Sequence, residues 1–220
     1  MDGLPYIKRY FDFSTILSLD EFNQQFDQIP KNNVSLEEGD AISSVGYIEP
    51  HKDSKFFPFY SFIYQNCLPF YPVITEDTAK YYITRSWANR HLRTGKTAEH
   101  RHEGVELVFS CYVTVPKHSG AFELYYNGQW HAIPVETNDV LIFPGNLIHR
   151  TEISLSDLPR IVITLNITQN LHMSIQRVEE IYKTAQGQPA IEDLHKEFIN
   201  MVGRIADCAA RIETQLIGME

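Results

Sequence analysis

Between residues 79 and 168 the apolar positions come in short β-rich runs broken by turn signals. Beyond residue 168 they recur instead at three- and four-residue spacing. The first pattern is that of strands with one face buried, and the second that of an amphipathic helix. The runs predict strands over Tyr81–His91, Val105–Val115, Ala121–Tyr126, Val140–Phe143, Leu147–Ile153 and Arg160–Ile167. Asn127-Gly128, set between Tyr125-Tyr126 and Gln129-Trp130, is a two-residue type I′ hairpin signal. Arg93-Thr-Gly-Lys96 marks another turn. Many short strands with close turns predict a sandwich or barrel.

Residues 1–78 read as an N-terminal extension. It opens with a strand through Ile7, Tyr10 and Phe11. Ser18-Leu-Asp-Glu21 is a capping box, with Leu17 and Phe22 placed as a hydrophobic staple for a helix from Leu19 to Phe26. A strand is expected around Ala41–Ile48. Phe56–Val73 is dense in aromatics and prolines, which predicts irregular walls or short strands rather than a helix. Residues 169–220 predict helices: Met173–Ala185, a break at Gln186–Pro189, then a helix striped by Leu194, Phe198, Val202, Ile205, Ala209, Ile212 and Leu216. That stripe either packs on the barrel or pairs two chains as a homodimer. The whole is expected to be one domain, mainly β with flanking helices.

Composition narrows the partners. A net charge of −9 over 220 residues disfavours nucleic acid and anionic membrane, because phosphate binding needs clustered Lys and Arg. No apolar run approaches the ~20 residues that span a bilayer, and the N-terminus lacks the pattern of a signal peptide. Cys67, Cys111 and Cys208 are odd in number and far apart, so they read as reduced packing thiols in a cytoplasmic protein.

The candidate chemistry lies in the histidines. His100 and His102 are two residues apart, which places both on one face of an extended segment. His149 follows a Pro-Gly turn in a later strand. Three imidazoles so arranged form a facial metal site that keeps positions open for substrate or oxygen. His51, His91, His118, His131, His172 and His195 stand singly and read as core or surface residues.

The run from Trp87 to Ile167, together with SWANR at 86–90, resembles Fe(II)- and 2-oxoglutarate-dependent oxygenases with a double-stranded β-helix core, the jelly-roll or cupin-like barrel. The matching pieces are HRH at 100–102, YVTVPKHSGAFEL at 112–124, DVLIFPGNLIHR at 139–150 and RIVITLNI at 160–167. The resemblance implies that His100 and His149 are iron ligands and that Arg160 pairs with the distal carboxylate of 2-oxoglutarate. A guanidinium suits that task through its planar, bidentate fork. Strand parity adds Tyr82, Arg85 and Asn89 as polar residues lining the same cavity.

One position departs from the family. His102 stands where such oxygenases usually carry Asp or Glu, leaving three neutral imidazoles and an undiminished +2 charge to meet an anionic co-substrate. Glu106 shares strand parity with His102 and is an alternative carboxylate; Glu103 would need a bulge. His100, His102 and Glu106, followed by Pro-Gly and His149, are also similar to the metal motif of cupins. That resemblance implies the same barrel with a metal chemistry that uses no oxo-acid. A third reading is a binding module whose histidines are structural. The substrate, small molecule or protein side chain, is open at this level.

Overall fold

The computed structural model describes residues 4–30, 36–68 and 81–168. The chain divides into a unit ending at Gln169 and a second, Asn170–Glu220, so the helices expected after residue 168 and the homodimer stripe fall outside the described residues.

Eleven strands and two α-helices make up the described part. The strands are β1 (Ile7–Tyr10), β2 (Glu37–Glu38), β3 (Ala41–Ser43), β4 (Tyr82–His91), β5 (Lys96–Thr97), β6 (Leu107–Thr114), β7 (Phe122–Tyr126), β8 (Gln129–Ile133), β9 (Asp139–Pro144), β10 (His149–Thr151) and β11 (Arg160–Thr168). The helices are α1 (Leu19–Asp27) and α2 (Phe57–Phe62), the latter running into a π-helical turn at Ile63–Cys67. A major antiparallel sheet has the order β1-β9-β6-β11-β4-β3; a minor one has β10-β7-β8, and β2 pairs with β5. These antiparallel sheets agree with the sandwich or barrel that the strand pattern predicted and are consistent with the jelly-roll core that the resemblance implied.

Local chemistry accounts for most elements. Ser18 accepts a hydrogen bond from the Glu21 N–H and caps α1. Asn127 and Gly128, at φ 51° and 82°, form the two-residue turn that sets Tyr126 opposite Gln129.

The segment Phe56–Val73 contradicts its expectation, since its first part is helical. Pro58 lies in the first turn of α2, where no intrahelical N–H is needed, so the proline starts the helix instead of breaking it. The strand expected over Ala41–Ile48 stops at Ser43, ahead of a turn through Gly46 at φ 82°. Both strands from the first 78 residues that reach the major sheet are integral to it: β1 forms its edge on β9, and β3 pairs with β4.

The alternation of the major-sheet strands divides the interior. Phe109, Cys111, Val113, Val140, Ile142, Ile161, Ile163, Leu165 and Ile167 face one cluster with Phe13, Phe22, Phe26, Phe56, Phe59 and Ile63. α1, α2 and their flanking turns thus cover the sheet's outer face. The inner face, with Val108, Tyr112, Leu141, Phe143 and Val162, packs against Phe122, Leu124 and Ile133 of the minor sheet. Nearly every residue of β11 is fully buried because both of its faces are covered.

Candidate metal centre and its cavity

His149 opens β10, and its backbone exchanges both hydrogen bonds with His100, at 3.0 and 2.9 Å. The His102 N–H donates to the Gly145 carbonyl at 2.8 Å, and the Gly145 N–H to Glu106 at 3.0 Å. These bonds hold residues 100–106 along the loop that precedes β10. A Cβ on Gly145 would meet the Val105 carbonyl oxygen at 2.2 Å, so this close approach requires glycine.

The three imidazoles converge. Their ring centroids are 4.1 Å (His100–His149), 5.0 Å (His100–His102) and 5.1 Å (His102–His149) apart. One ligand atom from each lies within 4.8 Å of the others, close enough that the three could hold a metal ion. His100 Nδ1 donates to the Ala98 carbonyl at 2.8 Å and His149 Nδ1 to Leu147 at 2.9 Å. Those bonds leave each Nε2 as the free lone pair, the tautomer a metal ligand needs. His102 Nε2 is buried with no hydrogen-bond partner.

Burial favours the neutral, ligating form throughout. It pushes His149 well below the usual imidazole value, with His100 adding to the effect. It lowers His100 as well, against the backbone bond to Ala98 and the nearby Glu37. His102 is pushed down to about 4 by burial, then by His100 and Arg85. Three buried neutral nitrogens with open space before them fit a divalent transition metal.

That space is a cavity of about 290 Å³ between the two sheets. Arg160, at the start of β11, is 1 % exposed and lines it. Its Nη1 donates weakly to the carbonyls of Ser119 and Gly120, at 3.4 and 3.3 Å, while Nε and Nη2 have no partner. The guanidinium lies 5.4 Å from the Tyr112 ring centroid. The Tyr112 hydroxyl is likewise buried without a well-formed hydrogen bond, although it is close enough to Arg160 for the two to interact. Burial raises the Tyr112 pKa against the opposing pull of Arg160, so the phenol keeps its proton. A buried guanidinium with idle N–H groups beside an idle hydroxyl asks for an anion.

Other predicted residues divide. Arg85 and Asn89 line the cavity. Tyr82 is in β4, opposite Thr168, and its side chain is outside the described residues. Glu103 is exposed and pairs with Arg101 at 2.7 Å. Glu106 is exposed too, because a turn at Gly104 (φ 71°) precedes β6 and breaks the parity with His102. Neither glutamate joins the donor cluster, and with Glu106 goes the fourth ligand of the cupin-type motif.

Sequence reasoning missed Tyr112, Glu37 and His91. Glu37 and His91 side chains are 3 % and 2 % exposed and meet at 2.5 Å, with Thr97 on both Glu37 oxygens at 3.0 Å. His91 shares β4 parity with Arg85 and Asn89, so alternation alone would have placed it in the cavity. Glu37 had no such signal, since it arrives on a two-residue strand.

No family model and no curated protein sequence matches this chain. Solved structures do match in fold. A 2OG-Fe(II) oxygenase family oxidoreductase from Burkholderia pseudomallei is 12% identical with a TM-score of 0.56, over 76% of this chain and 86% of that one. HygX from Streptomyces hygroscopicus, with nickel, 2-oxoglutarate and hygromycin B bound, is 11% identical with a TM-score of 0.55, over 76% and 83%. A prolyl-4-hydroxylase from Pseudomonas putida is 10% identical with a TM-score of 0.54, over 76% and 94%. The barrel is therefore the one that 2-oxoglutarate oxygenases use. Among the described residues, no helix is long and apolar enough to cross a membrane.

Proposed function

We propose that this protein is an Fe(II)- and 2-oxoglutarate-dependent dioxygenase, and in particular a hydroxylase. The observation that carries the reading is the placing of the histidine cluster and the idle Arg160 guanidinium in one cavity. The fold likeness supports it, as does the 2-oxoglutarate and nickel bound by HygX.

His100, His102 and His149 would hold the metal through one face, with Nδ1 of His100 and His149 fixed by backbone carbonyls. When bound, Fe(II) supplies the oxygen chemistry, in which 2-oxoglutarate is decarboxylated to succinate and the substrate gains an oxygen. Arg160 meets the distal carboxylate with its two unpartnered N–H groups, and the Tyr112 hydroxyl supplies a further donor. Because no carboxylate belongs to the donor set, an ion here keeps its full charge, which strengthens its hold on a dianionic co-substrate. Phe122 and Phe143 pack against His149, at 5.7 and 4.9 Å, and keep water from that side.

The test is anaerobic loading with Fe(II), then titration with 2-oxoglutarate while watching for the visible charge-transfer band of a chelated oxo-acid. The wild type should develop the band, His149→Ala should not, and Arg160→Ala should need at least tenfold more 2-oxoglutarate. Metal binding without a band would overturn the reading in favour of an oxo-acid-independent metalloprotein.

A further inference from the structure

The cavity reverses the charge of the molecule around it. The chain carries −9 overall, yet the charged side chains lining the cavity, apart from the histidines, are four arginines and one glutamate. Two of the four are neutralised, Arg101 by Glu103 and Arg150 by Glu123, each at 2.7 Å. Arg160 is claimed by the co-substrate. Arg85 remains, and among the described residues it has neither ion pair nor hydrogen bond, only the Trp87 ring at 5.7 Å.

Arg85 and Arg160 mark opposite ends. Arg85 pairs with Asn166 across β4 and β11, six residues along β11 from Arg160, so their backbones are roughly 20 Å apart at ~3.3 Å per residue. A five-carbon diacid reaching from Arg160 to the metal cannot also meet Arg85. The histidine cluster lies between the two: the His102 ring is 5.7 Å from Trp87, which pairs with Thr164, between Arg160 and Asn166 on β11.

The Arg85 end also offers an acceptor. Asn166 is 7 % exposed, and the Oδ1 atoms of Asn166 and Asn89 are both buried without partners. Both residues line the cavity, but Asn89 pairs with Val162, two residues from Arg160 and four from Asn166, so only Asn166 belongs to the Arg85 end. A volume of about 290 Å³ lies just below the roughly 300–1,000 Å³ of typical small-ligand sites, and leaves little room for a folded partner's segment beside a co-substrate.

Building on the oxygenase reading, we infer that the substrate is a small carboxylate bearing a hydrogen-bond donor, of the amino-acid or hydroxy-acid class. Arg85 binds its carboxylate, and Asn166, directly across from it, accepts from its ammonium or hydroxyl group. The exposed Arg85 guanidinium selects the anion, and the buried Asn166 amide oxygen penalises any ligand that leaves it unpaired.

The experiment uses full-length protein loaded with Zn(II) and saturated with 2-oxoglutarate. Pools of the common α-amino acids, with lactate and malate, are screened by saturation-transfer NMR, and each hit is retested as its carboxamide. At least one acid should bind, its affinity should fall tenfold or more in Arg85→Ala and partly return in Arg85→Lys, and the carboxamide should not bind. No binding acid, or one held equally by Arg85→Ala, overturns the inference. The charge-transfer titration separates the two claims. A wild type with no band removes the oxygenase reading even if an Arg85-dependent acid is found, and a band without such an acid removes the substrate class alone.

Discussion

At the residue scale the site depends on groups that are buried yet unsatisfied. Arg160 Nε and Nη2 and the Tyr112 hydroxyl have been taken out of water without a well-formed hydrogen bond, a loss that normally costs on the order of 1–3 kcal/mol each. A ligand that satisfies them recovers that cost, so the same atoms that weaken the empty fold strengthen binding. Tyr112→Phe removes the idle hydroxyl while keeping the ring against Phe122. It should leave the melting temperature unchanged or higher and weaken 2-oxoglutarate binding several-fold, as read by titration of the charge-transfer band. Equal affinity would remove Tyr112 from the anion site.

The histidines give a pH dependence of definite sign. His102 is pushed down to about 4 in the folded chain, whereas an unfolded histidine titrates near 6.5. Above pH 6.5 both states are neutral and the burial is harmless. As the pH falls from 6.5 toward 4 the unfolded chain takes up a proton that the folded one refuses, so stability is lost on acidification. For His102 alone the loss reaches about 3 kcal/mol. His149 and His100 are lowered too and deepen the trend. Urea midpoints of the metal-free protein at pH 7.5 and pH 5 would check this; equal midpoints would contradict the buried, neutral cluster.

At the scale of elements, the tight spots are glycines. Gly145 lies in the turn between β9 and β10, and an added Cβ would strike the Val105 carbonyl, forcing away the segment whose backbone holds His102. Gly145→Ala should therefore weaken Zn(II) binding by tenfold or more in a competition titration, although it touches no ligand atom. Gly128 is a contrast. Its φ of 82° disfavours any side chain, but nothing lies within 4 Å of an added Cβ. Gly128→Ala should cost about 1–2 kcal/mol of stability in urea unfolding and leave Zn(II) affinity unchanged.

Elements are also where sequence reading succeeded and failed. β4, β6, β9 and β11 were legible because a strand's alternation repeats over many residues, and the β7–β8 turn because Asn-Gly favours positive φ at both positions. α2 was not, since proline breaks a helix inside but begins one at the first turn, and only the chain's surroundings decide which applies.

At the scale of the whole molecule, the major sheet serves two purposes from its two faces. One bears the phenylalanine-rich cluster under α1 and α2, and the other bears the cavity. The aromatics of residues 56–62 thus stiffen the sheet from behind instead of walling the site, whose aromatic lining is Trp87, Tyr112 and Phe122. Residues 4–13 belong to the same structure through β1 on β9 and the buried ring of Phe13. Deleting residues 1–13 should leave a chain without a cooperative thermal transition, because it strips the β9 edge and a side chain worth about 2–3 kcal/mol of burial. A truncated protein that still melted cooperatively would make β1 an accessory.

The sequence by itself determined the strands of the barrel, the three histidines and Arg160. Period-two alternation and residue chemistry are local properties; of the three histidines only His149 lies on a strand, while His100 makes an isolated bridge to it and His102 follows outside any strand. Only the tertiary structure decided that Glu103 and Glu106 stay outside the donor cluster, because one turn at Gly104 breaks the strand's parity. It alone brought Glu37 to His91, and it alone left Arg85 unpaired at the far end from Arg160. Those relations join residues tens of positions apart, and what fixes them is the sheet register and the closure of two sheets over one cavity.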